Sequence, residues 1–67
     1  MGEWKNYIIY YFGVQVAHKV ARSKKEACNL YVEEWEKRYI MHYGRAPTQS
    51  KIKDVYENIE VFEKKTQ

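Results

Sequence analysis

Few side chains in this sequence have the types and spacing that catalysis requires. Cys28 is the single cysteine, so no disulfide can form within the chain. His18 and His42 are far apart in the sequence and lack companion ligands at zinc spacing. Ser23 and Ser50 have capping or turn explanations, so no nucleophile–base pair emerges. The sequence therefore predicts a protein that is not an enzyme and that uses no metal or cofactor.

Charge offers a second kind of chemistry, and it is unevenly spread. Residues 1–25 contain five Lys or Arg and one acidic residue, whereas residues 26–67 contain seven basic and eight acidic residues. A basic segment can steer a protein toward a nucleic acid or an acidic protein surface. Cations would contact phosphates, and neighbouring aromatic rings could stack on bases. The candidate nucleic-acid-binding residues are Lys5, Lys19, Arg22, Lys24 and Lys25, with Trp4 and Tyr10 for stacking.

The length of 67 residues predicts one small domain that spans the chain. Such a domain has a modest core, and seven Tyr, two Trp and two Phe would fill much of it because aromatic side chains bury a large area each. A chain this short has little room for a pocket, so no small-molecule substrate is expected. Without a signal-peptide pattern or a long apolar run, we expect a cytoplasmic protein that makes no use of a membrane.

Residues 23–44 predict one long helix around which the rest of the chain is organised. Ser23 and Glu26 have the spacing of a capping box at the start, and Gly44 is a natural residue for the end because it reaches positive φ without strain. At helical spacing, one apolar stripe faces the expected core. Its members are Cys28, Tyr31, Val32, Trp35 and Tyr39.

Three apolar residues of this helix lie off the stripe. Leu30 and Met41 fall on one flank, and Ile40 falls on another. They either contact a neighbouring element of the same chain or form a second apolar surface for a partner.

Two strands are predicted before the helix. Residues 4–11 are dense in β-branched and aromatic side chains, and residues 14–22 alternate between apolar and polar. Phe12-Gly13 between them is short enough for a tight hairpin turn. A type I′ turn would place Phe12 at positive φ, so a bulged or longer turn is the alternative.

Both faces of this hairpin are apolar. A register that pairs Tyr11 with Val14 turns His18 toward the long helix. The opposite face then carries three large side chains: Trp4, Ile8 and Tyr10. Because a helix covers only one face of a hairpin, this second face stays open to a partner unless a later part of the chain covers it.

The last third of the chain has two interpretations. Thr48 can cap a helix, and the apolar residues that follow have helical spacing: Ile52, Val55, Tyr56, Ile59 and Phe62. Residues 58–63 also alternate, as a third strand would. The predicted fold is α+β, an N-terminal β-hairpin packed on one long α-helix and followed by a second, shorter helix. The alternative is a third antiparallel strand, in the order ββαβ.

Two short stretches resemble known elements. Residues 22–27, Arg-Ser-Lys-Lys-Glu-Ala after a hairpin, resemble the strand-to-helix junction in the arm-binding domains of phage-type tyrosine recombinases, which place a three-stranded sheet in DNA. The loop with Gly44, Arg45, Pro47 and Thr48, followed by Ile52, resembles the helix start of helix-turn-helix proteins, including sigma factors. The size and the Tyr-, Lys- and Glu-rich composition are similar to small proteins of phages and mobile elements. These resemblances assign no family.

Two functions follow as expectations. The first is a protein-interaction module, a small phage-like or mobile-element-type regulator or inhibitor that binds a larger protein or a second copy of itself as a homodimer. Its partner-binding residues would be Trp4, Ile8, Tyr10, Leu30, Ile40 and Met41, since exposed apolar groups and hot-spot aromatics mark such interfaces. The alternative is a nucleic-acid-binding protein that uses the basic, aromatic hairpin.

Overall fold

The sheet has three antiparallel strands, and its central strand is the first one in the sequence. The computed structural model describes residues 3–65. Its elements are β1 (Lys5–Tyr11), β2 (Val14–Ala21), α1 (Lys24–Tyr43), α2 (Gln49–Asn58) and β3 (Ile59–Lys64). The strand order is β2-β1-β3, so one edge strand comes from the far end of the chain. The predicted α+β class is confirmed.

The β1–β2 turn has two residues, and both have positive φ. Phe12 has a φ of 52° and Gly13 has a φ of 77°, as a type I′ hairpin turn requires. Glycine adopts this conformation without strain, whereas Phe12 does not. The backbone amide of Phe12 also donates to the carbonyl of Asn58 at 3.4 Å, which ties the turn to the end of α2.

A β-bulge in the hairpin reverses part of the predicted register. Tyr11 pairs with Val14 as expected, but the register shifts between Ile9 and Tyr10, so that Ile9 lies opposite Ala17. A one-residue shift exchanges the two faces of a strand. The prediction that His18 points toward the long helix is therefore wrong, and His18 is exposed on the other face.

Helix α1 begins and ends where local capping predicts. The Ser23 hydroxyl accepts a hydrogen bond from the Glu26 amide at 3.1 Å. The Glu26 carboxylate in turn accepts from the Arg22 amide at 3.4 Å, one residue before the amide used in a standard capping box. At the other end, Gly44 has a φ of 72° and its amide donates to the Ile40 carbonyl at 2.7 Å. The helix is 20 residues long, about 30 Å.

The last third of the chain contains both of the predicted alternatives, one after the other. The Thr48 hydroxyl caps α2 by accepting from the Lys51 amide at 3.2 Å. The Asn58 side chain donates to the Asp54 carbonyl at 2.7 Å at the end of the helix. The chain then continues directly into β3, which pairs with β1. Helical spacing therefore ends at Asn58, and the alternation that follows belongs to a strand.

Both helices pack on the same face of the sheet. One cluster of buried side chains joins Ile9 of β1 to Tyr31 and Val32 of α1 and to Val55 of α2. A second cluster contains Tyr7, Ala21 and Ala27. Val61 of β3 packs against both clusters. Trp35, a predicted core residue, is partly buried at the margin of the first cluster.

Candidate interaction surfaces

The face of the sheet opposite the helices is uncovered by any described element. Ile8 and Tyr10 occupy it as predicted, because their neighbours Tyr7 and Ile9 point into the core. Trp4 precedes β1 and lies at one end of this face, against Arg22. The bulge and the third strand add two further large apolar side chains, Val20 and Phe62. Trp4 is 60 % exposed, Val20 53 % and Phe62 50 %. We call these five residues the open sheet face.

Contacts within the open sheet face hold its aromatic rings in place. Ile8 lies between His18 and Phe62 across the three strands. The rings of Tyr10 and Phe62 meet edge to face with centroids 5.7 Å apart, a favourable geometry for an aromatic pair. The Arg22 guanidinium lies 4.7 Å from the centroid of the Trp4 ring, within cation–π range. The surface is thus partly preorganised, which lowers the entropy that a partner must overcome.

The charged residues of this face are distributed along its length. Lys64 lies opposite Asn6 and Glu60 lies opposite Tyr10. Arg22 and Lys64 therefore share the end at which Trp4 sits, and Glu60 lies at the other end. The apolar centre has a basic margin on one side, which favours a partner with acidic groups at that margin.

The predicted nucleic-acid-binding cations do not form one surface. Lys19 points to the helix side of the sheet, where its ammonium pairs with Glu34, and its side chain is only 20 % exposed. Lys5 pairs with Glu63 at 3.7 Å, also on the helix side. Carboxylate partners reduce the charge that these two lysines offer to a phosphate.

The other three predicted cations lie near one end of the sheet. Arg22 stacks on Trp4, and Lys24 and Lys25 are exposed at the start of α1. Of these three cations, Arg22 is the one that contacts a residue of the open sheet face. They do not extend across its centre, where Ile8 and Phe62 lie.

The three off-stripe residues of α1 are exposed but separate from the open sheet face. Met41 is 87 % exposed, and Leu30 and Ile40 are partly exposed. Because α1 packs on the opposite side of the sheet, a partner flat against the sheet cannot reach them. The six predicted partner-binding residues therefore do not form one surface.

A third surface, which the sequence analysis missed, lies where α1 extends beyond its buried half. The buried residues of α1 all belong to its first half: Ala27, Tyr31 and Val32. Beyond them, aromatic and basic side chains line an open depression of about 360 Å³. Its lining residues are Tyr11, Trp35, Arg38, Tyr39, His42, Tyr43 and Lys51. We call it the aromatic–basic depression.

The signal for this depression is present in the sequence but ambiguous. Trp35, Tyr39 and Tyr43 recur every four residues along α1, the same spacing that marks a core stripe. Only the structure shows how far the sheet and α2 extend along α1, and that the stripe is no longer fully buried from Trp35 onward. Tyr43 is consequently 57 % exposed.

Burial alters the acid–base properties of three side chains near the contact between α1 and α2. It raises the pKa of the Cys28 thiol and of the Tyr31 and Tyr56 phenols. The Tyr56 hydroxyl donates to the Asn29 side chain at 2.8 Å. A raised pKa keeps the Cys28 thiol protonated near neutral pH, the opposite of an activated nucleophile.

Among residues 3–65, no group of three or more His, Cys, Asp or Glu side chains is placed to hold a metal ion. Neither described helix is long and apolar enough to span a membrane. No protein-family model, curated protein or solved structure matches the chain.

Proposed function

We propose that this chain is a non-enzymatic protein-interaction module that uses the open sheet face to bind a larger protein, as a regulator or inhibitor of that partner. The observation that supports it is the uncovered sheet itself. Five large apolar side chains share one face, and three of them are at least half exposed. The largest contiguous apolar patch on a small protein is often a functional one.

The size of the face favours a larger partner over a second copy of the chain. Three strands about 4.8 Å apart and about seven residues long cover roughly 14 by 24 Å, or about 340 Å². Two such faces together present about 700 Å², below the roughly 1,200 Å² of the smallest stable specific interfaces. A larger protein adds contacts around the rim of the sheet, which a face-to-face homodimer lacks.

The chemistry of the face specifies the partner's surface. Tyr10, Phe62 and Trp4 require an apolar counterpart that can accept aromatic rings. Arg22 and Lys64 at one end favour acidic groups on the partner at that position. We therefore propose a partner surface with an apolar centre and an acidic margin.

The test compares one sheet variant with one helix variant. Tyr10→Ser combined with Phe62→Ser removes apolar area from the open sheet face without touching the core. Met41→Ser removes a more exposed apolar side chain from α1 and serves as the matched control. A partner is first isolated with the wild-type chain, and its affinity for each purified variant is then measured by calorimetry.

We expect the sheet variant to lose at least about 30-fold in affinity, since truncation of a hot-spot aromatic costs about 2 kcal/mol or more. The Met41 variant should bind like the wild type, and both should keep a cooperative melt. Loss of binding in the Met41 variant alone would place the interface on α1 and overturn the proposal. Sedimentation of the wild type shows whether the chain binds itself through this face. If the wild type is a stable dimer and the sheet substitutions dissociate it, the partner is a second copy of the chain and not a larger protein.

A further inference from the structure

We infer that the aromatic–basic depression binds single-stranded nucleic acid, with a base against its tyrosine rings and a phosphate against Arg38 and Lys51. This site lies on the helix side of the sheet, away from the open sheet face. It is also separate from the hairpin lysines, which carboxylates partly neutralise. It is therefore independent of the proposed protein interface.

The aromatic half of the site is a row of rings along α1. The centroids of Trp35 and Tyr39 are 5.4 Å apart, and those of Tyr39 and Tyr43 are 4.5 Å apart, with the planes tilted by 44° and 45°. His42 contacts the Tyr43 ring edge to face at 4.6 Å. Tyr43 is 57 % exposed, whereas Trp35 and Tyr39 are partly buried, so the Tyr43 ring is the most accessible to a ligand. Bases stack on such aromatic surfaces with little sequence preference.

The charged half of the site is basic. Of the described residues that line the depression, the formally charged ones are Arg38 and Lys51. The Lys51 ammonium lies 5.5 Å from the centroid of the Tyr39 ring, and no described ion pair involves Lys51. Arg38 hydrogen-bonds one oxygen of Glu34 at 2.9 Å, yet its side chain remains 66 % exposed. Glu34 reduces the charge that Arg38 offers, as Glu63 does for Lys5, so Lys51 is the main phosphate ligand of the site and Arg38 the weaker one.

A single strand fits this chemistry better than a duplex or an acidic peptide. Bases in a duplex are stacked on one another, so their faces are not free to meet Tyr39 or Tyr43. An acidic peptide would satisfy Arg38 and Lys51, but it would leave the ring surfaces without a planar counterpart. A nucleotide supplies a planar ring and an anion in one unit, and a strand supplies that unit repeatedly.

The first experiment measures binding of a fluorescently labelled oligothymidylate of ten nucleotides by anisotropy at low salt. Lys51→Glu should weaken binding. Lys53→Glu is the control, since it makes the same charge change on the same helix but outside the depression, and it should have a much smaller effect. Two phosphate contacts predict a slope of about −1.4 for log affinity against log salt. Equal loss in the two lysine variants would show general charge attraction and overturn the site.

The second experiment separates stacking from charge. Tyr43→Ala removes an exposed ring from the depression and should weaken binding about five- to 150-fold, the usual range for loss of one base–aromatic stack. Phe62→Ala removes a ring of similar exposure from the open sheet face and should leave nucleic-acid binding unchanged. Thermal melts of both variants report whether they stay folded. Unchanged binding by folded Tyr43→Ala would overturn the stacking role.

Competitors identify the source of the ligand. Thymidine monophosphate should compete far more weakly than the strand, and a ten-base-pair duplex should not compete. A mononucleotide that competes as well as the strand would assign the site to free nucleotides and overturn the strand as the ligand. Absence of binding by the wild type at low salt would overturn the inference, while leaving the protein interface on the other face untouched.

Discussion

Ile8 and Ile9 provide a direct test of the two faces of the sheet, because the same side chain occurs at adjacent positions of β1. Ile9 is 0 % exposed and contacts the buried cluster of Tyr31, Val32 and Val55. Ile8 points to the open sheet face and is only partly buried. The same substitution at the two positions should therefore have different effects on the free energy of unfolding.

The magnitude follows from the loss of one methylene group. Ile9→Val should cost about 0.5–1.5 kcal/mol, since the cavity it leaves is fully enclosed. For a domain of this size, 1 kcal/mol lowers the melting temperature by roughly 4–8 °C. Ile8→Val should stay within about 0.5 kcal/mol, as at an open surface. Ile9→Ala should cost about 2–5 kcal/mol, a large share of the roughly 3–10 kcal/mol that a chain of this length typically has.

Urea unfolding followed by circular dichroism measures these three variants and Ile8→Ala on one scale. The slope with denaturant should stay constant, so that a change in midpoint reports stability alone. If Ile8→Val is as destabilising as Ile9→Val, the assignment of the two faces is wrong. A loss above about 2 kcal/mol in Ile8→Ala would mean that the open sheet face is covered, and the proposed interface would lose its basis.

The hairpin turn and the stability of the protein at alkaline pH provide two further predictions. Phe12→Asn should stabilise the protein by up to about 1 kcal/mol, because Asn tolerates the φ of 52° better than Phe. Loss of the contact between Phe12 and Tyr11 offsets part of this gain. An unchanged or lower melting temperature would contradict the prediction. Burial raises the pKa of Cys28, Tyr31 and Tyr56, so the unfolded chain loses these protons first, from about pH 8.5 for the thiol and about pH 10 for the phenols. Their contribution to stability is therefore complete below about pH 8.5 and declines above it. Urea midpoints from pH 7 to 11 measure this decline, which should be smaller in Tyr31→Phe, and a flat profile would refute it.

The helix boundaries could be predicted from the sequence because capping is local. The Ser23 hydroxyl bonds an amide three residues away, the positive φ of Gly44 suits it to end α1, and Thr48 caps α2 in the same way as Ser23 caps α1. The hairpin turn is similar, since Phe12-Gly13 brings its flanking strands together within a few residues. For the candidate site, alternation along β1 placed Trp4, Ile8 and Tyr10 on one face. Each of these features depends on neighbours in the sequence.

The rest was decided by contacts between distant parts of the chain. The bulge that moves His18 to the open face depends on how β2 fits against β1 and the helices. Phe62 contacts Tyr10 because β3 pairs with β1. The sequence of residues 58–63 alone is compatible with either a helix or a strand, so it could not predict this contact. The row Trp35, Tyr39 and Tyr43 has the spacing of a core stripe throughout, yet its last residue is exposed. Spacing determines which side of a helix is apolar, but only the sheet and helix packed against that side determine where along its length burial ends.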